Sequence, residues 1–498
     1  MSIYYKSFIK DNFLVLTGHF LIYAQGIILM PIIIKTAGVT VYGGYALVVM
    51  SLGFLFGISS FGVGFKCKRF LPSAVDIKSR QKLFYPQMLF QLTSIAVLSL
   101  VLSLFSPLIK QMFIKKEIEF FIWLAVLYLF LYMLYSQTTD YFRYTGRMNY
   151  FNYATISLPY LNIVIVLLIY FFFHRLNVNL LVSANLLSVG LITIPLILKT
   201  INELGFGLPT IRVKELIKDV KLGFPLVLGY VLDFILSGSD RYVIVSLMSV
   251  TAVGYYSPAY ALGSLVIFFP KVSGVVLPPL LSKAVDNGRK EEAQIMVNYT
   301  IKGFLLIAIP FIVGSFVLSK QLLTMFANAE VAKNAFLVTP VVAIGVLFYG
   351  LNIILSNVLF VQMKTKVMFK TSLLAACTNL ILNIIFIYLF KNILVAAITT
   401  LFSYFLVFLY MYRTVTIDWT ICFDLKAIFK SFVATMGMAV VLLLWIHFQL
   451  ELNINQFINV LGEVIIGGTI YVVMLFVLRV FSSKELYYLK NIFLRRRI

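Results

Sequence analysis

The residues best suited to chemistry lie where an apolar chain should not hold them. Between Leu222 and Leu247 a helix-length apolar run carries Tyr230, Asp233, Ser237 and Asp240 at three- and four-residue steps, with Arg241 at their edge. In an α-helix that spacing gathers the side chains on one face, while Leu, Ile, Val and Phe fill the others. Such a face offers carboxylates for hydroxyl recognition or proton exchange, hydroxyls for hydrogen bonds, and a guanidinium for an anion. Two readings stay open for Asp240 and Arg241: a binding pair, or adjacent opposite charges that neutralise each other for packing. Asp233 lies deeper, with no opposite charge close by in sequence, and is read as functional. Lys271 follows Pro270 inside the next apolar run. It is read as a cation lining a cavity rather than a lysine snorkelling to an interface, and the proline as a kink. Gln25, at mid-depth of the first run, can bind hydroxyls or a neighbouring helix. Lys35 and Arg143 lie nearer the ends of their runs, where snorkelling is the stronger reading, and are secondary candidates.

Other chemistries lack their residues. Cys67, Cys377 and Cys422 form no CxxC or metal-ligand spacing, and His19, His174 and His447 form no HExxH-type pair. Neither a metal nor a redox centre is expected, and no other cofactor. The 46 Phe and 29 Tyr could stack on ring-shaped ligands, but interfacial belts and packing account for most of them.

The elements that must position these groups are membrane spans. Of 498 residues 61 % are hydrophobic and 12 % charged, with a mean hydropathy of +0.98, far from soluble composition. With a span needing about 20 apolar residues, fourteen fit, at 13–34, 44–64, 83–108, 120–138, 154–173, 180–198, 222–247, 256–281, 301–318, 336–361, 367–390, 393–411, 431–448 and 457–478. Lys6 and Lys10 precede the first run, which lacks a small-residue cleavage site and reads as a retained helix.

The net charge of +22 follows the membrane, not nucleic acid. Alternate connections hold Lys66, Lys68, Arg69, Lys78, Arg80 and Lys82, then Arg143 and Arg147, then Lys199, Arg212, Lys214, Lys218 and Lys221. The same side takes Lys283, Arg289, Lys290 and Lys302, then Lys364, Lys366 and Lys370, and the tail Arg495–Arg497. The opposite side carries isolated charges such as Lys35, Arg175, Lys320 and Lys391. The positive-inside rule therefore puts both termini in the cytoplasm, and anionic membrane lipid is the partner of the basic loops. The connections are too short for an extracytoplasmic catalytic domain, so function is confined to the bundle.

Val39-Thr40-x-x-Gly43-x-Tyr45 leads into the second span and Val250-Thr251-x-x-Gly254-x-Tyr256 into the eighth. The shared V-T-x-x-G-x-Y, six spans apart, predicts two units of the same orientation around a central cavity. The expected organisation is a lobe of six helices over 1–212, a second over 213–420, and two extra helices with a basic tail over 421–498. The fold class is an all-α integral membrane protein.

Pro31-Ile32-Ile33-Ile34-Lys35-Thr36-Ala37-Gly38 with Tyr42-Gly43 resembles the opening of polysaccharide exporters of the multidrug/oligosaccharidyl-lipid/polysaccharide superfamily. Ser239-Asp240-Arg241-Tyr242-Val243-Ile244 and Val253-Gly254-Tyr255-Tyr256-Ser257 are similar to that family's seventh-to-eighth helix signature. Asn379-Leu380-Ile381-Leu382-Asn383 and Ala396-Ala397-Ile398 resemble its eleventh and twelfth helices, with Val395 where the family often has glycine. The resemblance runs along about the first 415 residues.

It implies a flippase of the O-antigen type, moving an undecaprenyl-diphosphate-linked oligosaccharide from the cytoplasmic to the outer leaflet of a bacterial plasma membrane. Arg241 would attract the diphosphate and Asp233 would bind sugar or couple protons. Coupling to an H+ or Na+ gradient is left open, as are partners from polysaccharide assembly. The alternatives are a cationic-drug antiporter of the same superfamily, a lipid II flippase, a membrane-embedded polymerase or glycosyltransferase, for which no DxD-like pair exists, and an assembly scaffold. Intramembrane cations at least as frequent as carboxylates favour an anionic cargo.

Overall fold

The computed structural model describes residues 21, 24–109, 120–207, 213–449 and 456–481. Among them the chain is helical throughout, with thirteen helices long and apolar enough to cross a membrane. The first apolar helix, α1, is described over Ala24–Ala37. The start of the predicted first span, Lys6, Lys10, His19, Arg212 and Arg495–Arg497 lie outside the described residues.

The spans are α2 (Val39–Ser59), α3 (Ile77–Leu104), α4 (Ile122–Tyr144), α5 (Met148–Phe173), α6 (Val178–Leu204) and α7 (Val213–Leu247). They continue with α8 (Val250–Asp286), α9 (Lys290–Phe326), α10 (Val338–Val361), α11 (Thr365–Phe390) and α12 (Ile393–Val415). The last are α13 (Leu425–Gln449) and α14 (Gln456–Val477). In hydrocarbon a helix satisfies its own backbone, which is why these apolar runs take no other form. Four of the starts, those of α3, α6, α12 and α13, and the start of the short helix Ala329–Ala335 carry polar caps. Asp76, Asn177, Asn328, Asn392 and Asp424 each accept a hydrogen bond from a backbone N–H of the following turn, satisfying donors that a helix start leaves open.

Pro270 does not sit at the irregularity it causes. Helix α8 is broken one turn earlier, by a 3-10 segment at Ser264–Ile267, and resumes at Phe268. A proline ring clashes with the carbonyl four residues back, which here is Val266. The break therefore falls on the turn before Pro270, and the proline itself occupies the first turn of the resumed helix, where its missing N–H costs little.

The chain divides into two compact units, 1–257 and 258–498. In the first, Ile33, Leu129, Met133, Val166, Leu181 and Val182 from α1, α4, α5 and α6 form the main core. In the second, α10 is the most enclosed span and packs against α12, α9 and the second half of α8. Helices α13 and α14 pack on each other and on α9. Tyr471 of α14 donates to the Leu306 carbonyl of α9 at 2.6 Å and is paired with Ser431 of α13 at 2.8 Å, both sites buried.

Candidate functional site

Helix α7 lies along α2, and its contacts decide where each polar side chain goes. Tyr230, Phe234, Gly238 and Tyr242, four residues apart, face α2. Tyr230 donates to the Gly53 carbonyl at 2.8 Å, Phe234 stacks on Phe54 at 4.0 Å, and Tyr242 meets Ser51 at 2.7 Å. A Cβ on Gly57 would run into the Tyr230 ring, and the Gly62 and Gly223 backbones touch where no side chain fits. Below them the Lys66 ammonium reaches the Asp219 carboxylate at 3.0 Å.

At the other end the two V-T-x-x-G-x-Y segments meet. Thr40 and Thr251 share a hydrogen bond of 2.8 Å. A Cβ on Gly43 would collide with the Val250 carbonyl oxygen, and one on Gly254 with the Val39 carbonyl oxygen. Glycine is needed at both positions because backbone meets backbone there.

The face carrying Asp233, Ser237 and Asp240 is turned to the side of this seam. Asp240 and Arg241 are buried, 3 % and 7 % exposed, and bonded to each other. The Asp240 carboxylate accepts from the Arg241 backbone N–H at 2.8 Å and from its guanidinium at 3.2 Å, and Tyr256 donates to the second carboxylate oxygen. The guanidinium also donates to the Ser237 carbonyl at 3.2 Å and lies 5.5 Å from the centre of the Tyr256 ring. Charge is thus matched locally, as a buried pair requires, and the arginine is held by three groups rather than left to move.

Asp233 is exposed, with Ser237 Oγ donating to its backbone carbonyl at 2.7 Å. A carboxylate exposed part-way along a span needs water, a counter-charge or a polar cargo beside it. Ser237, Asp240 and Arg241 are therefore brought together, with Tyr230 on the same helix turned onto α2. Gln25 is half-buried on α1, and Lys35 is exposed near its end. Arg143 is exposed at the end of α4, its guanidinium 5.2 Å from the centre of the Phe151 ring. Lys271 is exposed and belongs to the second unit.

Three features escape a reading by charge. Tyr256 completes the Asp240–Arg241 cluster; in the sequence it was legible as the close of the repeat motif and part of the signature after α7, not as a partner of Asp240. Gln87 and Gln91 of α3 both bond Gln137 of α4, and all three are buried. Asn379 bonds Thr400 at 3.0 Å, Asn383 bonds Asn379 at 3.0 Å, and Thr399 donates to Asn383. Ala396 and Ala397, on the same helix as Thr399 and Thr400, are fully buried, small residues of the kind that let membrane helices pack closely. The Asn379–Asn383 motif is thus tied to α12 through Thr399 and Thr400.

The comparisons with known proteins agree on the architecture. A family model described as polysaccharide biosynthesis protein matches residues 38–330. The probable lipid II flippase MurJ of Buchnera aphidicola subsp. Baizongia pistaciae (strain Bp) is 27 % identical over 327 residues. That match spans 61 % of this chain and only 56 % of the relative's own length. The solved structure of lipid II flippase MurJ in an inward closed conformation aligns with a TM-score of 0.73 at 18 % identity, covering 94 % of this chain and 98 % of that one. An inward-facing multidrug resistance MATE family transporter of the MOP superfamily aligns with a TM-score of 0.62 at 15 % identity, covering 81 % and 95 %. The fold is therefore that of MOP superfamily transporters, and the protein is a multi-pass membrane protein. With the family match running through more than half of the sequence, the chain belongs to the polysaccharide biosynthesis protein family.

Proposed function

We propose that the chain is a flippase for an undecaprenyl-diphosphate-linked oligosaccharide, working in a bacterial plasma membrane with both termini in the cytoplasm. The observation that carries this reading is the polysaccharide biosynthesis match over 38–330 on a fold shared with a lipid II flippase. A diphosphate with its sugars cannot cross about 30 Å of hydrocarbon unaided, so the head group needs a polar route while the lipid tail stays in the bilayer. The exposed Asp233 of α7 supplies a hydrogen-bond acceptor for sugar hydroxyls or a proton carrier. Lys271 supplies an exposed cation for the diphosphate. Arg241 is occupied by Asp240 and Tyr256 in this conformation and reaches cargo only after exchanging partners. Its first role is to hold the α7–α8 junction. The protein acts by transport rather than catalysis.

The test is reconstitution of the pure protein in vesicles with a fluorescent undecaprenyl-diphosphate oligosaccharide, followed with a membrane-impermeant quencher or glycosidase. Protein-dependent accessibility, reduced at least tenfold in Asp233→Asn or Lys271→Gln, is the expected result. Equal flipping by lipid II alone would narrow the cargo to that head group. Translocation of neither lipid by folded protein, with cationic dye efflux in its place, would replace the flippase reading by the antiporter that the MATE likeness favours.

A further inference from the structure

A groove of about 480 Å³ lies between α5 and α6, separate from the polar face of α7. Along the two helices Tyr150, Tyr153 and Lys199 line one end, its mouth, Leu161 and Leu191 line the other, apolar end, and Leu196 lies between them. Each helix has an internal proline, Pro159 in α5 and Pro195 in α6, and Pro195 itself lines the groove. Lys199 is half-buried, with its ammonium 4.5 Å from the centre of the Tyr150 ring. Glu203, one turn further along α6, is engaged by Arg147, and among the described residues no carboxylate pairs with Lys199. An ammonium held over an aromatic face still has three N–H donors with which to meet an anion.

The dimensions select the occupant. Tyr150 and Leu161 are separated along α5 by about 16 Å at 1.5 Å per residue, close to one leaflet of a hydrocarbon core of about 30 Å. The mouth lies at the basic end of the helix pair, beside Arg143 and Arg147, which the charge pattern assigns to the cytoplasm. A groove with a cation at one end and an apolar far end about one leaflet away matches a phospholipid: anionic head group at the cation, acyl chain along the apolar end. A free anion would leave the apolar end unused. We infer that this groove is a binding site for an anionic phospholipid of the cytoplasmic leaflet.

The experiment measures thermal unfolding of the purified full chain in a neutral detergent, titrated with phosphatidylglycerol, phosphatidylcholine or inorganic phosphate. Phosphatidylglycerol should raise the midpoint saturably, while phosphatidylcholine and inorganic phosphate should not. Lys199→Gln should weaken the apparent affinity about fivefold, and Lys199→Arg should restore most of it. Leu191→Trp changes an exposed side chain, fills the groove without altering charge, and should remove the response while the lipid-free midpoint stays put. A response to phosphatidylglycerol unchanged in Lys199→Gln and Leu191→Trp overturns the site. So does a response to inorganic phosphate as large as that to the lipid. Flipping activity is not the readout, so failure here leaves the flippase reading untouched, and the reverse holds too.

Discussion

At the scale of single residues, the Asp240–Arg241 pair sets the largest local stake. Both groups are buried and mutually bonded, so removing one leaves the other charged in a poor solvent. Loss of one partner of a buried pair costs about 3–5 kcal/mol. Asp240→Asn should accordingly lower the unfolding midpoint more than the double change Asp240→Asn with Arg241→Gln, measured by thermal unfolding in detergent. A double variant as unstable as the sum of the singles would show that the two side chains act independently. These residues, and Asp233, were legible in the sequence because a charge inside an apolar helix has few neutral explanations. The glutamine cluster of α3 and α4 was not. Gln87 and its partner Gln137 are 50 residues apart, an amide carries no charge to mark it, and only folding shows that the three side chains meet.

At the scale of elements, the α2–α7 seam and the capped connections carry the positional information. Gly43 and Gly254 each oppose a backbone carbonyl, so Gly43→Ala or Gly254→Ala forces the two segments apart. An overpacking cost of about 1–3 kcal/mol is expected for each, read as a lower midpoint, whereas Gly53→Ala, with nothing within 4 Å of its Cβ position, should cost less. The start of α13 gives a pH effect. The Ala427 backbone N–H, and after it the Lys302 ammonium, hold the Asp424 carboxylate below its ordinary value. A depressed carboxylate contributes stability above its unfolded value of about 3.9 and loses it as pH falls through the folded value. Asp424→Ala should remove about 1 kcal/mol at neutral pH and flatten the acid limb of the stability curve, while Asp424→Asn retains the cap but not the pH dependence. Hydropathy located the spans but not their ends: α9 runs Lys290–Phe326 where the apolar run is 301–318, and α7 starts at Val213 rather than 222, because a helix continues into polar residues beyond the hydrocarbon. The broken course of α8 could not be placed as well, because proline chemistry acts on the preceding turn.

At the scale of the whole molecule, thirteen described spans and the family match place the polar groups in the membrane-spanning bundle of a polysaccharide biosynthesis protein family member. Asp233→Asn should leave insertion and midpoint close to wild type, since the side chain is exposed, and show its effect only in translocation. The repeat, by contrast, has a consequence for how such a chain can be built. Thr40 meets Thr251, the Val39 carbonyl meets Gly254, and the Val250 carbonyl meets Gly43. Exchange the two segments and the contact maps onto itself. That self-mating is the property of an isologous dimer interface, in which one patch serves both partners about a dyad. One V-T-x-x-G-x-Y segment thus carries both halves of the joint, the carbonyl that is met and the glycine that makes room for it. It follows that the chain severed within residues 208–212 and expressed as two polypeptides should reassemble, and that Gly43→Val in the first piece should abolish their co-purification.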